Sequence, residues 1–421
     1  MINAMTQPGK QVTVIGGGIV GVCCALSLQE KGLRVRLIDE GDLKRKASYG
    51  NAGVISPWSC IPQSMPGTWK YIPQWLLNRA GPVSFHWSYL PQLLPWVVKF
   101  LATGRYPRVI QIATAMDALN RQNVKIYRQH LSTTNHQNLV KDACYLHVSR
   151  DKNAFTTDSL EYRLRAENQA PMEILDSRRL RELEPALSPD YQSALLIKNQ
   201  ARAFSPGRLV EVLTQKFCYQ GGNIVKSRVE MIKPLENEGW NIQTQGQQYK
   251  SELLLIASGA WSVDLLKPLG LKLPLVNERG YHLEFNQPGV FLNHSIMDVK
   301  SKFVVSSMSQ GVRSAGTAEF AHLNARPNYQ RARIFKSLTK QLLPDLNTDN
   351  TSEWMGTRPS FPDSLPVIGH VPGFSGLFAA FGHSHYGLGM APKTGQLLAS
   401  MVCRETADID PRPYRFDRFN A

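Results

Sequence analysis

The first sustained apolar pattern is Gln11–Ile15, QVTVI, whose β-branched residues predict a strand. Gly16-Gly17-Gly18-Ile19-Val20-Gly21 follows. Apolar positions that include Cys23, Leu26 and Leu28 then predict a helix over Val22–Lys31, stopped by Gly32. Leu33–Ile38 predicts a second strand, which runs into Asp39-Glu40. From residue 40 to 110 the alternation of strand and helix stops. A small-residue loop, Ser48–Gly53 (SYGNAG), gives way to Pro- and Trp-rich sequence over Pro57–Pro107. Much further on, Tyr249–Ala257 predicts a strand that enters the turn Ser258–Ser262. Gly376–Phe381 predicts another, which meets the glycine-rich stretch Gly382–Pro392 and a helix over Lys393–Cys403. Between them, Tyr281–Phe285, Phe303–Ser307 and Val312–Gly316 read as strands of an antiparallel sheet. Helices near 109–131 and 328–343 would cover it.

Strand, glycine loop, helix, strand and acid within so short a span make a dinucleotide-binding unit. Gly16 permits the tight turn, Gly18 lets the backbone approach a pyrophosphate, and Gly21 lets the helix lie close to the strand. The helix N-terminus offers unpaired N–H groups and a positive dipole end to the phosphates. Asp39 can accept hydrogen bonds from ribose hydroxyls. No arginine placed to take a 2′-phosphate is evident, which disfavours NADP. Two glycine-rich strand-to-helix junctions, one near each end of the chain, suit an extended cofactor better than a single loop does.

Composition narrows the class. The chain has 421 residues, 43% of them hydrophobic and 19% charged, which excludes wholesale disorder. Its length suggests two or three domains at ~100–200 residues each. No apolar run reaches the ~18 residues of a spanning helix. The stretch MINAMTQPGK lacks the basic and apolar parts of a secretory signal. Cys23, Cys24, Cys60, Cys144, Cys218 and Cys403 form no CxxC pair and read as buried thiols of a reducing compartment, so a cytoplasmic location is expected. The net charge of +15 fits a nucleic-acid partner, an anionic membrane face, or an anionic cofactor with acidic substrates. The basic residues form two loose groups, Arg163, Arg165, Arg178, Arg179 and Arg181, and Arg326, Arg331, Arg333, Lys336 and Lys340. Both read as solvated helix faces.

VIGGGIVG with Asp39, SYGNAGVISP, Arg178–Leu187, LLLIASGAWS, ERGYHLEF, EWMGTRPSFPDSLPVIG and LFAAFGHSHYGLGMAPKTGQLLA follow one another along nearly the whole chain. Together they resemble the FAD-dependent amine and amino-acid oxidoreductases of the D-amino-acid oxidase and glycine oxidase superfamily, most closely the bacterial D-amino-acid dehydrogenases. The resemblance implies non-covalent FAD. It places Gly16, Gly18, Ile19, Val20 and Gly21 at the pyrophosphate, Asp39 and Glu40 at the adenosine ribose, and Ser48, Asn51, Ala52 and Gly53 along the cofactor's middle. Val229 would meet the adenine, and Ala257 and Gly259 the ADP half. Gly387, Leu388, Gly389 and Met390 would face the flavin ring.

By the same pattern Arg358, in GTRPSFPD, binds the substrate carboxylate. A guanidinium matches a carboxylate in two parallel hydrogen bonds. Glycine oxidase-like members add a tyrosine on a central strand, but Ser301–Val305 offers none, so Tyr281 or Tyr386 would supply the hydroxyl. His383 and His385 are candidate pocket residues. No cysteine or carboxylate at ligand spacing accompanies them, so no metal site is expected. His282 and His147 read as packed or exposed rather than catalytic.

The implied fold class is α/β with α+β elements, a Rossmann-like FAD-binding domain with a second antiparallel-sheet substrate domain. The former would use residues 1–80, 188–265 and 350–421, the latter 81–187 and 266–349. The implied activity is oxidative deamination of a D-amino acid, including a cyclic one such as D-proline or hydroxy-D-proline, with a quinone or carrier as electron acceptor. Phe85–Ala102 admits two readings, contact with the inner face of the cytoplasmic membrane through Trp87, Trp96 and Lys99, or core of the second domain. The second is the one taken. Two rivals remain open. One is an oxidoreductase of the same superfamily acting on a modified tRNA base, though no appended basic domain favours a nucleic-acid partner. The other is a non-catalytic electron-transfer flavoprotein subunit.

Overall fold

A computed structural model describes residues 9–71, 74 and 81–419. The stretch read for a targeting signal lies largely outside the described residues, as does part of the Pro- and Trp-rich segment. Six strands form one sheet in the order Val367–His370, Leu377–Phe381, Leu253–Ile256, Gln11–Ile15, Arg34–Asp39, Asn223–Lys226. All neighbours are parallel except the first pair. LLLI and LFAAF are apolar throughout because a parallel strand is covered on both faces. The first helix, Ile19–Glu30, is likewise buried on nearly every side. Helix Gly387–Val402 crosses it so closely that a Cβ on Gly395 would stand 2.5 Å from the Cys23 carbonyl oxygen. A small antiparallel sheet, Val229–Pro234, Trp240–Thr244 and Gln248–Ser251, fills the connection before Leu253.

The second large sheet has ten strands. Its path runs Thr351–Ser360, Val276–Phe285, Gly311–Phe320, Phe303–Met308, Ser295–Asp298, Val140–Ser149, Ser193–Ala203, Val54–Ile55. Val83–Phe85 and Met172–Asp176 pair off this path. It is mixed, since Ser295–Asp298 pairs parallel to Val140–Ser149. Ser193–Ala203 and Thr351–Ser360, assigned from sequence to the nucleotide-binding segments, hydrogen-bond within this sheet. Both are long strands, and each has a ten-residue partner, Val140–Ser149 for the first and Val276–Phe285 for the second. Period-two alternation gives the sheet two faces. Tyr281, Leu283, Phe285, Val305 and Leu146 pack on the face that helix Gln330–Leu342 covers with Ala332, Phe335 and Leu342. Glu278, Val304, Met297, His147 and Arg358 point the other way, into a cavity.

Helix Leu90–Thr103 buries Tyr89, Leu93 and Trp96 in a core of their own, as the second reading of Phe85–Ala102 expects. Its outer side nevertheless exposes Leu94 and Val98, and Trp87 just ahead of it in the chain is exposed as well. No helix among the described residues is long and apolar enough to cross a membrane.

Candidate active site

The carboxyl ends of the parallel strands Gln11–Ile15, Arg34–Asp39, Leu253–Ile256 and Leu377–Phe381 open into one cavity of about 2220 Å³, whose far wall is the ten-stranded sheet. Pockets for drug-sized ligands run to ~300–1,000 Å³, so this space holds an extended cofactor and a substrate together. The strand ends are where an open α/β sheet binds its ligands.

At the nucleotide end the backbone sets the shape. Gly16 has φ +109°, and a Cβ there would meet the Ala257 carbonyl oxygen at 2.5 Å. A Cβ on Gly21 would stand 1.8 Å from the Gly16 oxygen, so only glycine lets this helix start so near the strand. In front of Gly18 the groove is open, with Ser48 Oγ nearest at 3.7 Å. That hydroxyl accepts the Ile19 N–H at 3.1 Å. Asp39 Oδ2 accepts the Gly17 N–H at 2.6 Å, and Oδ1 accepts the Gly41 N–H at 2.8 Å. Lys46 Nζ lies 2.8 Å from Oδ1 and donates to the Gly17 carbonyl. Burial pushes the Asp39 carboxyl up, but Lys46 and the two N–H groups outweigh it and hold the carboxyl below its usual range. Oδ2 keeps an acceptor position for a ribose hydroxyl. Glu40 pairs with Arg45 at 2.9 Å, and Arg45 lies over the Trp261 ring. An arginine therefore does stand beside the acid pair, but Glu40 and the Trp261 ring engage it. Arg45 is brought back by the short 3₁₀ turn Leu43–Arg45, a turn the sequence pattern did not announce. Val229, Ala257 and Gly259 line this end of the cavity.

Gly50, Asn51 and Ala52 line the middle. Gly53 does not. Its φ of +82° turns it onto the strand Ser193–Ala203, where a Cβ would meet the Ala203 oxygen at 2.3 Å. The second glycine junction opens helix Gly387–Val402. Gly387, Leu388 and Gly389 line the cavity while Met390 is buried behind them in the core. Helices from a remote segment hold this turn. Tyr127 donates to the Leu388 carbonyl at 2.6 Å, and Gly389 has no room for a Cβ because Asn120 Oδ1 would lie 2.7 Å away.

The substrate end is built from side chains. Arg358 Nη1 donates to Glu278 Oε1 at 2.8 Å and to the Thr317 carbonyl at 3.1 Å. His385 Nε2 lies 2.6 Å from the same carboxylate oxygen, and Ser360 Oγ donates to Oε2 at 2.8 Å. Burial pushes the Glu278 carboxyl up, but the His385 imidazole, Arg358 and Ser360 overcome it and hold it at about 2. Glu278 is thus an ionised group with almost no exposure, answered by a guanidinium and an imidazole that reach into the cavity. The guanidinium lies flat over Gly280, where a Cβ would stand 2.1 Å from Nη2.

The sequence expectations divide accordingly. Arg358, His385 and Tyr386 line the cavity together. Tyr386 donates to the Ile61 carbonyl at 2.9 Å, which ties its loop to the segment after Cys60. His383 also borders the cavity but is buried against Thr394 Oγ1 at 3.0 Å, and burial lowers it to about 3, so it is a neutral group pinning the loop. Tyr281 is corrected. It sits on the opposite face of its strand, donates to Glu319 Oε2 at 2.5 Å and never reaches the cavity. The strand's alternation puts Glu278 and Gly280 on one face and Tyr281 on the other, and that signal, legible in ERGYHLEF, points to Glu278. Arg165 and Arg331 are also corrected, since both are buried rather than part of a solvated face. Among the described residues no cluster of three His, Cys, Asp or Glu could hold a metal, and all six cysteines are free.

The groove therefore suits FAD on grounds of its own geometry, with glycines where a Cβ cannot fit and an acidic acceptor at the ribose end. Comparison with known proteins agrees. Residues 11–401 match the DAO family, described as FAD dependent oxidoreductase. A D-amino-acid oxidase from Bradyrhizobium diazoefficiens is 34% identical over 418 residues, 98% of this chain and 99% of that one. A D-amino acid dehydrogenase from Vibrio atlanticus is 27% identical over 95% of this chain and 97% of that one. The crystal structure of glycine oxidase from Geobacillus kaustophilus superposes with a TM-score of 0.73 at 21% identity, covering 98% of this chain and 99% of that one, and has the same fold. The chain belongs to the DAO family of FAD-dependent oxidoreductases, and FAD is its cofactor.

Proposed function

We propose that this protein oxidises the carbon–nitrogen bond of a D-amino acid to the imino acid, which water then converts to a 2-oxo acid or which persists when the substrate is a ring amine. The observation that carries this reading is Arg358. One edge of its guanidinium is held by Glu278 and Thr317, and the side chain borders the cavity. A cation so fixed can orient a carboxylate without losing further side-chain freedom. The D configuration rests on the relatives named D-amino-acid oxidase and D-amino acid dehydrogenase.

When bound, FAD accepts the two electrons that leave the substrate carbon. The protein's part is to bind and orient. Gly16, Gly18, Ile19 and Ser48 would hold the phosphates, and Asp39 the ribose. The first turn of helix Gly387–Val402 would offer N–H groups and its positive end to the ring system, which stabilises negative charge there. Arg358 holds the carboxylate and His385, anchored on Glu278, stands at the same wall. Only a neutral amine has the lone pair that drives the oxidation, and water or the His385 imidazole can take its proton.

Electrons then pass to a quinone or carrier. The exposed Trp87, Leu94 and Val98 favour delivery at a membrane surface, because exposed aromatic and aliphatic side chains on a segment that also lines the cavity suit the interface between water and lipid.

Anaerobic addition of D- and L-amino acids to the FAD-loaded protein tests the reading. D-Amino acids are expected to bleach the flavin band, and bleaching by neither series would refute it. Arg358→Ala is expected to retain FAD and lose about 100- to 1000-fold in kcat/KM. Oxygen uptake as fast as reduction of a soluble quinone would remove the acceptor assignment.

A further inference from the structure

The substrate end holds a second arginine that the proposed deamination leaves unused. Arg165 lies in the last turn of helix Leu160–Glu167. Its side chain is only 9% exposed, and it lines the same cavity. Arginine is almost never buried without a partner that answers its charge. Arg165 is poorly answered. Nη1 reaches the Glu161 carbonyl at 3.4 Å, and the Glu161 carboxylate, itself half exposed, stays 3.8 Å away. Nε is buried and makes no hydrogen bond. Arg358, by contrast, already has Glu278 at 2.8 Å.

Apart from the half-exposed Glu161, the cavity-lining groups nearest Arg165 include neutral rings and a cation. Tyr145 and His147 pack edge to face at 4.8 Å on the facing strand, and both line the cavity. Lys302 lines it too, and its charge, with that of Arg165, is felt at His147. Tyr386 lies within electrostatic reach of Glu278 and of Arg165. The cavity therefore carries one guanidinium closely paired with a buried carboxylate and a second whose carboxylate is distant and half exposed.

We infer that Arg165 forms a distal anion subsite and that the preferred substrate is a dicarboxylic D-amino acid, its α-carboxylate on Arg358 and its side-chain carboxylate on Arg165. The substrate carboxylate would displace the long contact from Glu161 and give the terminal nitrogens a close carboxylate partner. A planar guanidinium holds a carboxylate through paired hydrogen bonds. A buried cation left facing a neutral amide gains less, which is the physical basis for discrimination against D-glutamine and D-asparagine. This inference rests on the deamination reading above.

The test compares acids with their amides in the FAD-loaded protein. Rates of anaerobic flavin reduction are measured with D-glutamate and D-glutamine, D-aspartate and D-asparagine, and D-alanine. In the wild type at least one acid is expected to exceed its amide about tenfold or more in kcat/KM. Arg165→Gln should collapse that ratio by about 10- to 100-fold, and Arg165→Lys should restore part of it. Calorimetric titration with glutarate and butyrate, which carry no amine to oxidise, reads the subsite without turnover. Glutarate should bind more tightly than butyrate, and Arg165→Gln should erase the difference. Amides used as well as acids, or Arg165→Gln lowering D-alanine and D-glutamate in equal proportion, would overturn the subsite. If no D-amino acid reduces the flavin, the deamination reading fails, and the glutarate titration still decides the subsite by itself.

Discussion

The two ends of the cavity are made of different material. At the nucleotide end the wall is main chain: glycines at the foot of a helix, N–H groups turned outward, one carboxylate tied to the Gly17 and Gly41 amides. At the substrate end the wall is side chains, Arg358, Glu278, His385 and Arg165, drawn from four separate segments. A backbone wall fixes what must fit by sterics, and it tolerates no change. A side-chain wall fixes what may bind by charge, and it can be retuned one residue at a time. The first grips something the whole family shares, and the second distinguishes one substrate from another.

Breaking the backbone wall should therefore have the largest effect. Gly21→Ala places a methyl group 1.8 Å from the Gly16 oxygen, and no flexible group stands there to yield. We expect a protein that retains no flavin after reconstitution and loses at least about 3 kcal/mol of unfolding free energy, read by absorbance and by denaturant titration. Normal flavin content in this variant would erase the contrast between the two ends.

Glu278→Gln should leave the flavin in place and act on turnover. The amide keeps the shape but not the charge that orders Arg358 and His385. We expect kcat to fall about 10- to 100-fold while KM hardly rises, because the added net positive charge offsets the lost order in binding a carboxylate. A rise in KM alone would mean that Glu278 only buttresses the strand. Gly280→Ala should be milder. Its methyl group would meet the end of the Arg358 side chain, which can swing aside, so KM should rise about tenfold with flavin content intact.

The smallest effect concerns acid stability. His383 and His282 are buried and lowered to about 3, and Glu278 is held at about 2. Below the ordinary histidine value of 6.5 the unfolded chain takes up protons that the folded histidines refuse, so stability falls as pH drops toward about 3. Glu278 adds to this below the ordinary 4.5 of a glutamate, since its folded form stays ionised down to about 2. Glu184, raised to about 7 by burial, works in the other direction between 4.5 and 7, where stability falls as pH rises. Melting temperatures should thus decline on acidification below about pH 4.5, and His383→Gln should flatten the part of that slope above pH 3.

The same contrast explains what could be read from the chain. The roles of Gly16 and Gly21, of the strand ends and of the helix after Gly387 are local, because a glycine's freedom and a strand's apolar run depend on neighbours in sequence. They announce a dinucleotide site, whereas the FAD-dependent family is legible only as a resemblance carried by motifs along nearly the whole chain. Glu278 was missed because its partners, Arg358 and His385, lie far away in the chain, although the alternation of ERGYHLEF already placed it opposite Tyr281. Arg165 reads as solvated from sequence because charge spacing on a short helix does not reveal which side a cavity occupies. Arg45 was overlooked because a single 3₁₀ turn carries it back to Glu40. Where a position's role is set by distant chain, no pattern within a window records it.

The parallel sheet also dictates when the cofactor can enter. Its Leu377–Phe381 strand lies beside Leu253–Ile256, which in turn lies beside Gln11–Ile15. The first glycine loop leaves the ribosome early, yet the groove it serves has no second wall until Phe381 and the helix beyond it have been synthesised. Flavin must therefore load after that strand and that helix have been made, and a translation product that stalls before Leu377 is a colourless one whose Leu253–Ile256 strand is unpaired on one edge.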